Sequence, residues 1–228
     1  MGLKESGLRG SLRNVSVGID AIPDTLEVQY DPSQQSLLDD DDVPTRVDQV
    51  GSRDATGSGT YKTEVQNGEP VVRYDGSQSH TIPASEFDTI PEPFSVIAVV
   101  VDAEQTSNIE TILGSESSGD NDVQIRWNDA WEIVGGSTVT GSETNAPLII
   151  SAIFDGENSK LRENSSETAS GGSDSGGMES LSIGQRQGDR GWDGDSGELN
   201  IYFDNIESTD DLVSEENRLA EKYGIPIE

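Results

Sequence analysis

Covalent or acid–base chemistry in this chain would have to start from His80, the single histidine, because cysteine is absent and no thiolate nucleophile or thiolate-bound zinc is available. A nucleophilic triad needs that imidazole beside a serine and an acid, and His80 has no such partners at a recognisable spacing. It reads as a structural or surface histidine on a strand. No GxGxxG or P-loop sequence cradles a phosphate, and the glycines of Gly171-Gly-Ser-Asp-Ser-Gly-Gly177 are loop glycines. The sequence therefore names no catalytic residue. Sugar binding asks for an aromatic platform with a few polar groups, and Trp127, Trp131 and Trp192 are the residues that can supply one. Trp127 and Trp131 flank Asn128-Asp129-Ala130, which reads as a hairpin tip. The alternative is that all three fill a core.

The elements that hold these residues carry an unusual charge. The 228 residues contain 44 Asp plus Glu against 14 Lys plus Arg, a net charge of −30. Self-repulsion of that size opposes compaction in dilute buffer, whereas at molar salt the screening length falls to about 3 Å. The composition is that expected of a protein from an extreme halophile. Disorder is the other reading of such acidity, but the apolar runs at 94–101 and 147–154 require a core. An acidic nucleic-acid mimic would cluster its charge, and here the carboxylates are spread among Ser, Thr, Gly and Asn. No segment reaches the ~20 apolar residues of a membrane-spanning helix. The opening residues lack the apolar stretch of a secretion signal, so the chain is expected not to leave the cell by the ordinary route.

One stretch escapes the acidic bias. Lys4, Arg9 and Arg13 face only Glu5 in residues 1–18, a net +2, which leaves −32 on residues 19–228. Residues 1–30 are read as an N-terminal arm that docks on partner subunits through Lys4, Leu8, Arg9, Leu12 and Arg13. Residues 31–228 are read as one β-sandwich domain. Strands are predicted at 71–74, 79–82, 94–101, 111–114, 123–127, 131–134, 147–155, 181–183 and 198–203, from β-branched and aromatic runs between Gly, Ser, Asn and Asp turns. The all-apolar runs belong to central strands covered on both faces, and Val123-Gln-Ile-Arg-Trp127 alternates as a half-exposed strand does. Residues 164–178, almost pure Ser, Gly, Thr and acid, read as a flexible loop. A helix is predicted to start at Ser214, to face inward through Leu219 and Tyr223, and to stop at Gly224.

Several segments, in order, resemble the laminin-G-like, concanavalin A-like lectin/glucanase superfamily. They are Val47-Asp-Gln-Val-Gly51 with Asp54-Ala-Thr56, Gly68-Glu-Pro-Val-Val-Arg-Tyr-Asp-Gly-Ser77, and Ile153-Phe-Asp-Gly156 with Leu161-Arg-Glu-Asn164. Leu181-Ser-Ile-Gly184, Gly191-Trp-Asp-Gly-Asp-Ser-Gly-Glu-Leu-Asn-Ile-Tyr202 and Lys222-Tyr-Gly-Ile225 follow. At Val47, where many relatives carry Trp, the chain departs from the pattern. The resemblance implies an all-β, two-sheet antiparallel jelly-roll sandwich, here with a short C-terminal helix and an extended N-terminal arm. Hydrolases of the superfamily carry Glu-x-Asp-x-x-Glu or Glu-x-Asp-x-Glu on one strand. The nearest approach, Glu86-Phe-Asp88, runs into Pro91 without a third acid. The resemblance also implies calcium in loops at the sheet edge. Its ligands here would be Asp39 to Asp42, or Asp120 and Asp122, or Asp193 and Asp195.

A fold of this kind hosts many activities, so function has to come from sites. The expectation is a non-enzymatic surface component of a virus infecting a halophilic archaeon, a capsid decoration, turret or tail-associated protein. Its partners would be capsid or tail proteins and further copies of itself, with host surface glycans bound by the displayed sandwich and neither nucleic acid nor membrane engaged. The alternative is a carbohydrate-binding module of a haloarchaeal cell-surface protein, and the second alternative a glycoside hydrolase relative.

Overall fold

A computed structural model describes residues 25–103, 109–115, 122–173, 176–186, 190–208 and 210–227. The chain forms two antiparallel sheets that face each other across one apolar core. The first runs β14 (Ser166–Gly171), β13 (Ser159–Glu163), β12 (Leu148–Phe154), β7 (Phe94–Ala103), β16 (Asp193–Tyr202), β5 (Glu69–Asp75), β4 (Thr60–Gln66), and β1 (Leu26–Tyr30) also pairs with β16. The second runs β11 (Thr138–Thr140), β10 (Trp131–Val134), β9 (Gln124–Trp127), β8 (Glu110–Gly114), β15 (Leu181–Ile183), β6 (His80–Ile82), β3 (Ala55–Gly57), β2 (Thr45–Arg46). This is the two-sheet sandwich that the sequence predicts.

The two apolar runs become neighbouring central strands, β7 and β12, paired from Phe94↔Phe154 to Leu148↔Val100. Their alternate residues serve different cores. Val96, Ala98, Val100, Leu148, Ile150 and Ala152 face the second sheet. Ile97, Val99, Val101, Ile149 and Ile153 face the other way, onto the C-terminal helix. A strand covered on both faces needs no polar residue in its pattern, which is why these runs are continuous.

The helix α1 (Asp210–Tyr223) starts four residues before the expected Ser214, which lies exposed within it. The earlier start brings Leu212 into the row with Leu219 and Tyr223, all buried against the first sheet. Burial of such side chains stabilises by about 1.5–3 kcal/mol each. Asp210 and Asp211 place negative charge in the first turn, where the helix dipole favours it. Gly224 ends the helix at φ +63°, a left-handed value that glycine adopts without strain. No helix among the described residues is long and apolar enough to cross a membrane.

Two expectations need correction. Residues 26–30 belong to the sheet, paired with β16, so the sandwich takes in the last part of the stretch read as arm. The stretch read as a loop at 164–178 contains the edge strand β14, folded back on β13 by Asn164 and Ser165, both at positive φ. A polar edge strand carries no apolar alternation because one side of it meets water. At Val47, where the chain departs from the family pattern, the side chain is 43% exposed, and Val43 and Arg46 occupy the interior.

Candidate functional site

The site that best combines recognition chemistry with an opening lies at the end of the sandwich where β13, β14 and the residues after the helix meet. Along β13 the side chains of Ser159, Leu161 and Glu163 share the buried face, and Glu163 ends that row. Its carboxylate accepts from the backbone N–H of Ser142 at 2.9 Å, from the Thr168 hydroxyl at 2.9 Å and from the Ser142 hydroxyl. The Ser142 hydroxyl also lies 2.6 Å from that of Thr144, whose carbonyl takes the indole N–H of Trp131 at 2.8 Å. Gly141 makes room for this arrangement, since a Cβ there would lie 2.5 Å from Glu163 Oε1.

Beside these groups opens a cleft of about 450 Å³, lined by Thr144, Glu163, Asn164, Ser166, Thr168, Pro226 and Ile227. The Asn164 side-chain oxygen accepts from the Ile149 N–H at 2.9 Å, so its amide N–H groups are what it can offer the cleft. The lining thus combines hydroxyl, amide and carboxylate groups with the aliphatic Pro226 and Ile227. A ligand that is polyhydroxylated on one face and C–H-rich on the other suits both. Nothing in the sequence marked this cleft. The alternation Ser159-x-Leu161-x-Glu163 is the only trace of it, and a charged residue at the end of such a row does not look inward.

The tryptophans expected to bind glycans are buried instead. Trp127 and Trp131 oppose each other across β9 and β10 and pack edge to face at 5.3 Å on the core side, with Ile125 and Ile133. Strand alternation puts all four on the inner face, so the hairpin tip carries only Asn128, Asp129 and Ala130. Trp192 is fully buried 5.8 Å from the ring of Tyr74. None presents a platform to solvent.

Several of the aspartates expected to hold calcium already have partners. Asp195 is buried and forked by Arg73, its neighbour across β5 and β16, at 2.7 and 2.6 Å. Asp122 pairs with Arg186 at 2.7 Å. Asp193 stands opposite Asp75 in the ladder. Lys62 engages Asp40, and Asp39 accepts from Thr63. Among the described residues no group of three or more His, Asp or Glu is placed to hold a metal ion. Carboxylates neutralised by guanidinium do not fit a cation, and Asp120 lies outside the described residues. So do Lys4, Leu8, Arg9, Leu12 and Arg13.

His80 is buried and fully engaged. Its Nε2 lies 2.7 Å from the Val43 carbonyl, which can only accept, so Nε2 bears the proton and Nδ1 accepts from the Tyr74 hydroxyl at 3.0 Å. Burial, with the nearby Arg46 adding to it, pushes its pKa down to about 4. Glu86 and Asp88 are exposed on either side of the buried Phe87. A general acid needs a raised carboxyl pKa. The shifts resolved on carboxylates go down, in Asp31, Asp39, Asp75 and Glu198.

No protein-family model and no curated protein matches the chain. Solved structures do match its fold. Trypanosoma rangeli sialidase in complex with 2-keto-3-deoxy-D-glycero-D-galacto-2,3-difluoro-nononic acid is similar at a TM-score of 0.61 and 13% identity, over 87% of this chain and 33% of that one. A mutant of the same sialidase displaying trans-sialidase activity is similar at 0.58 and 14% identity, over 84% and 33%. The chain spans about a third of the length of these sialidases. Likeness at this identity defines the fold alone, a two-sheet β-sandwich.

Proposed function

We propose that this chain is a non-catalytic, carbohydrate-recognising β-sandwich displayed at the surface of a halophilic assembly. The observation that carries the reading is the Glu163 cleft. It combines hydroxyl, amide and carboxylate groups with Pro226 and Ile227 in a volume suited to one or two sugar rings. The fold is one that sialidases share, which is consistent with a sugar ligand without assigning it. Glycan-array binding of the full chain in molar KCl is the test, with Ser166→Tyr to fill the cleft from the edge strand. Selective binding that Ser166→Tyr removes, with melting unchanged, supports the reading. Uniform signal across all glycans overturns it, and release of reducing sugar from a bound glycan overturns its non-catalytic part.

A second observation favours an assembly role, as a capsid decoration, turret or tail-associated protein of a virus infecting a halophilic archaeon. Among the described residues, Arg53, Lys62, Arg73, Arg126, Lys160, Arg162, Arg186, Arg218 and Lys222 are paired with carboxylates. Arg46 is buried among other partners. That leaves Arg190 among the cations of the described residues, and Lys4, Arg9 and Arg13 are further groups that can meet an acidic neighbour. Deleting residues 1–25 is expected to abolish incorporation into particles while leaving a folded sandwich. Incorporation without them overturns the anchoring role.

A further inference from the structure

We infer that the groove walled by Leu37, Pro44 and Val47 seats the N-terminal arm of a second copy of this chain. The groove, about 330 Å³, lies between the segment after the 3-10 turn Pro32–Gln34 and strand β2. Among the described residues strand β2 is the last of its sheet, so its outer edge has no described strand beside it. Such an edge accepts an extended segment by strand addition. Gln35 spans this edge, donating from Nε2 to the Thr45 carbonyl at 3.0 Å, while its Oε1 is buried with no hydrogen-bond partner among the described residues. Val47 is 43% exposed, and Leu38, next to the groove, is 75% exposed.

The arm has the matching chemistry. Leu3-Lys4, Leu8-Arg9 and Leu12-Arg13 repeat one pattern, a leucine followed by a cation. In an extended segment adjacent side chains point to opposite sides. A leucine seated in the groove therefore leaves the following cation outside it, near the acidic run Asp39 to Asp42.

Direction argues for a neighbouring copy. The arm enters the sheet at Thr25, whose carbonyl accepts from the Phe203 N–H. The groove adjoins the other end of β1, where the Gln49 N–H donates to the Gln29 carbonyl. A chain's own arm would have to reverse and run back along all of β1, about 17 Å. Extended outward, residues 1–24 reach up to about 80 Å. Exchange of arms between copies makes a closed or ring-like oligomer.

This inference rests on the reading of the arm as an anchor, and two variants keep the two apart. The full chain in molar KCl is analysed by light scattering, and p-benzoylphenylalanine at Val47 is photo-cross-linked in a mixture of isotopically light and heavy copies. The expected result is an oligomer whose Val47 cross-links join residues 1–24 of a different copy. Val47→Asp is expected to weaken that oligomer at least about tenfold with melting of the sandwich unchanged. A monomeric full chain, cross-links within one copy, or cross-links that miss residues 1–24 overturn the inference. If deletion of residues 1–25 disperses the oligomer and Val47→Asp does not, the groove is wrong and the anchor stands. If the deletion leaves the oligomer intact, both fall.

Discussion

Arg46 Nη2 donates to the carbonyl of Gly197 at 2.9 Å, and this bond crosses from one sheet to the other. Strand β16 changes register against β7 between Ser196 and Leu199, and such a bulge leaves backbone groups outside the ladder. Arg46 takes up what the bulge releases. It also donates to the Tyr30 carbonyl at 3.3 Å and the Ser196 hydroxyl at 3.1 Å, and its guanidinium lies 5.6 Å from the Tyr30 ring. In a chain with 44 acidic residues, this buried cation forms no ion pair with a carboxylate among the described residues.

Arg46→Met is therefore expected to destabilise the sandwich by about 3 kcal/mol, because two buried carbonyls lose their donor. Arg46→Lys should recover only part of this, since one ammonium cannot span three acceptors on two strands. Denaturant unfolding in molar KCl measures both. A cost below about 1 kcal/mol for the methionine would show that water replaces the guanidinium.

The same stretch shows what the sequence could and could not reveal. The apolar runs of β7 and β12 identify themselves, because burial on both faces removes every competing pattern. Leu219, Tyr223 and Gly224 likewise announce a docked helix. Arg46 does not, since its role depends on a bulge some 150 residues away. The tryptophans misled for a related reason: the hairpin was legible, but which of its faces met the second sheet was not. Glu163 was hidden by chemistry, a carboxylate whose inward direction is supported by hydroxyls from Ser142, just after β11, and from Thr168 on β14.

His80 should stay neutral where an ordinary histidine protonates. The unfolded imidazole takes a proton below about pH 6.5, the folded one only below about pH 4. Between those values the unfolded state binds more protons, so stability falls as the pH drops, by about 3 kcal/mol across the full window. Burial is the main cause, so molar salt should leave the shift in place. As the single histidine, His80 gives an unambiguous proton NMR titration. Ring resonances that titrate near pH 6.5 in the folded protein would contradict the buried Tyr74–His80–Val43 arrangement.

Salt should raise stability over a wide range. The cations are largely consumed in ion pairs, which leaves a −30 chain with a repulsive exterior. Raising KCl from about 0.1 to about 2 M shortens the screening length from about 10 Å to below 3 Å. An increase in melting temperature of about 10 °C is expected, equivalent to about 3 to 4 kcal/mol at this chain length. Scanning calorimetry reads it directly. A melting temperature flat with salt would mean that the acidic surface does not oppose folding.

Glu198 should prove the residue that holds the helix to the sheet. It is fully buried and accepts from Gln29 Nε2 at 2.8 Å, Asn200 Nδ2 at 3.1 Å, Lys222 Nζ at 2.9 Å and Arg218. Lys222 goes on to Asp31 at 2.8 Å, and Arg218 to Glu215. Burial pushes the Glu198 carboxyl up, but Arg218 and Lys222 outweigh it and the net shift is downward. The stability it lends is thus present above the ordinary glutamate range and lost as pH falls through its depressed folded value. Glu198→Ala leaves two cations facing a buried gap, so a loss of about 3–5 kcal/mol is expected. The loss should be local first: amide hydrogen exchange of Leu219 to Tyr223 should quicken while that of β7 and β12 stays slow, since each keeps a hydrogen-bonded strand on both sides within the first sheet. Exchange that rises equally in the helix and in β7 would place Glu198 in the global fold and not at the helix seam.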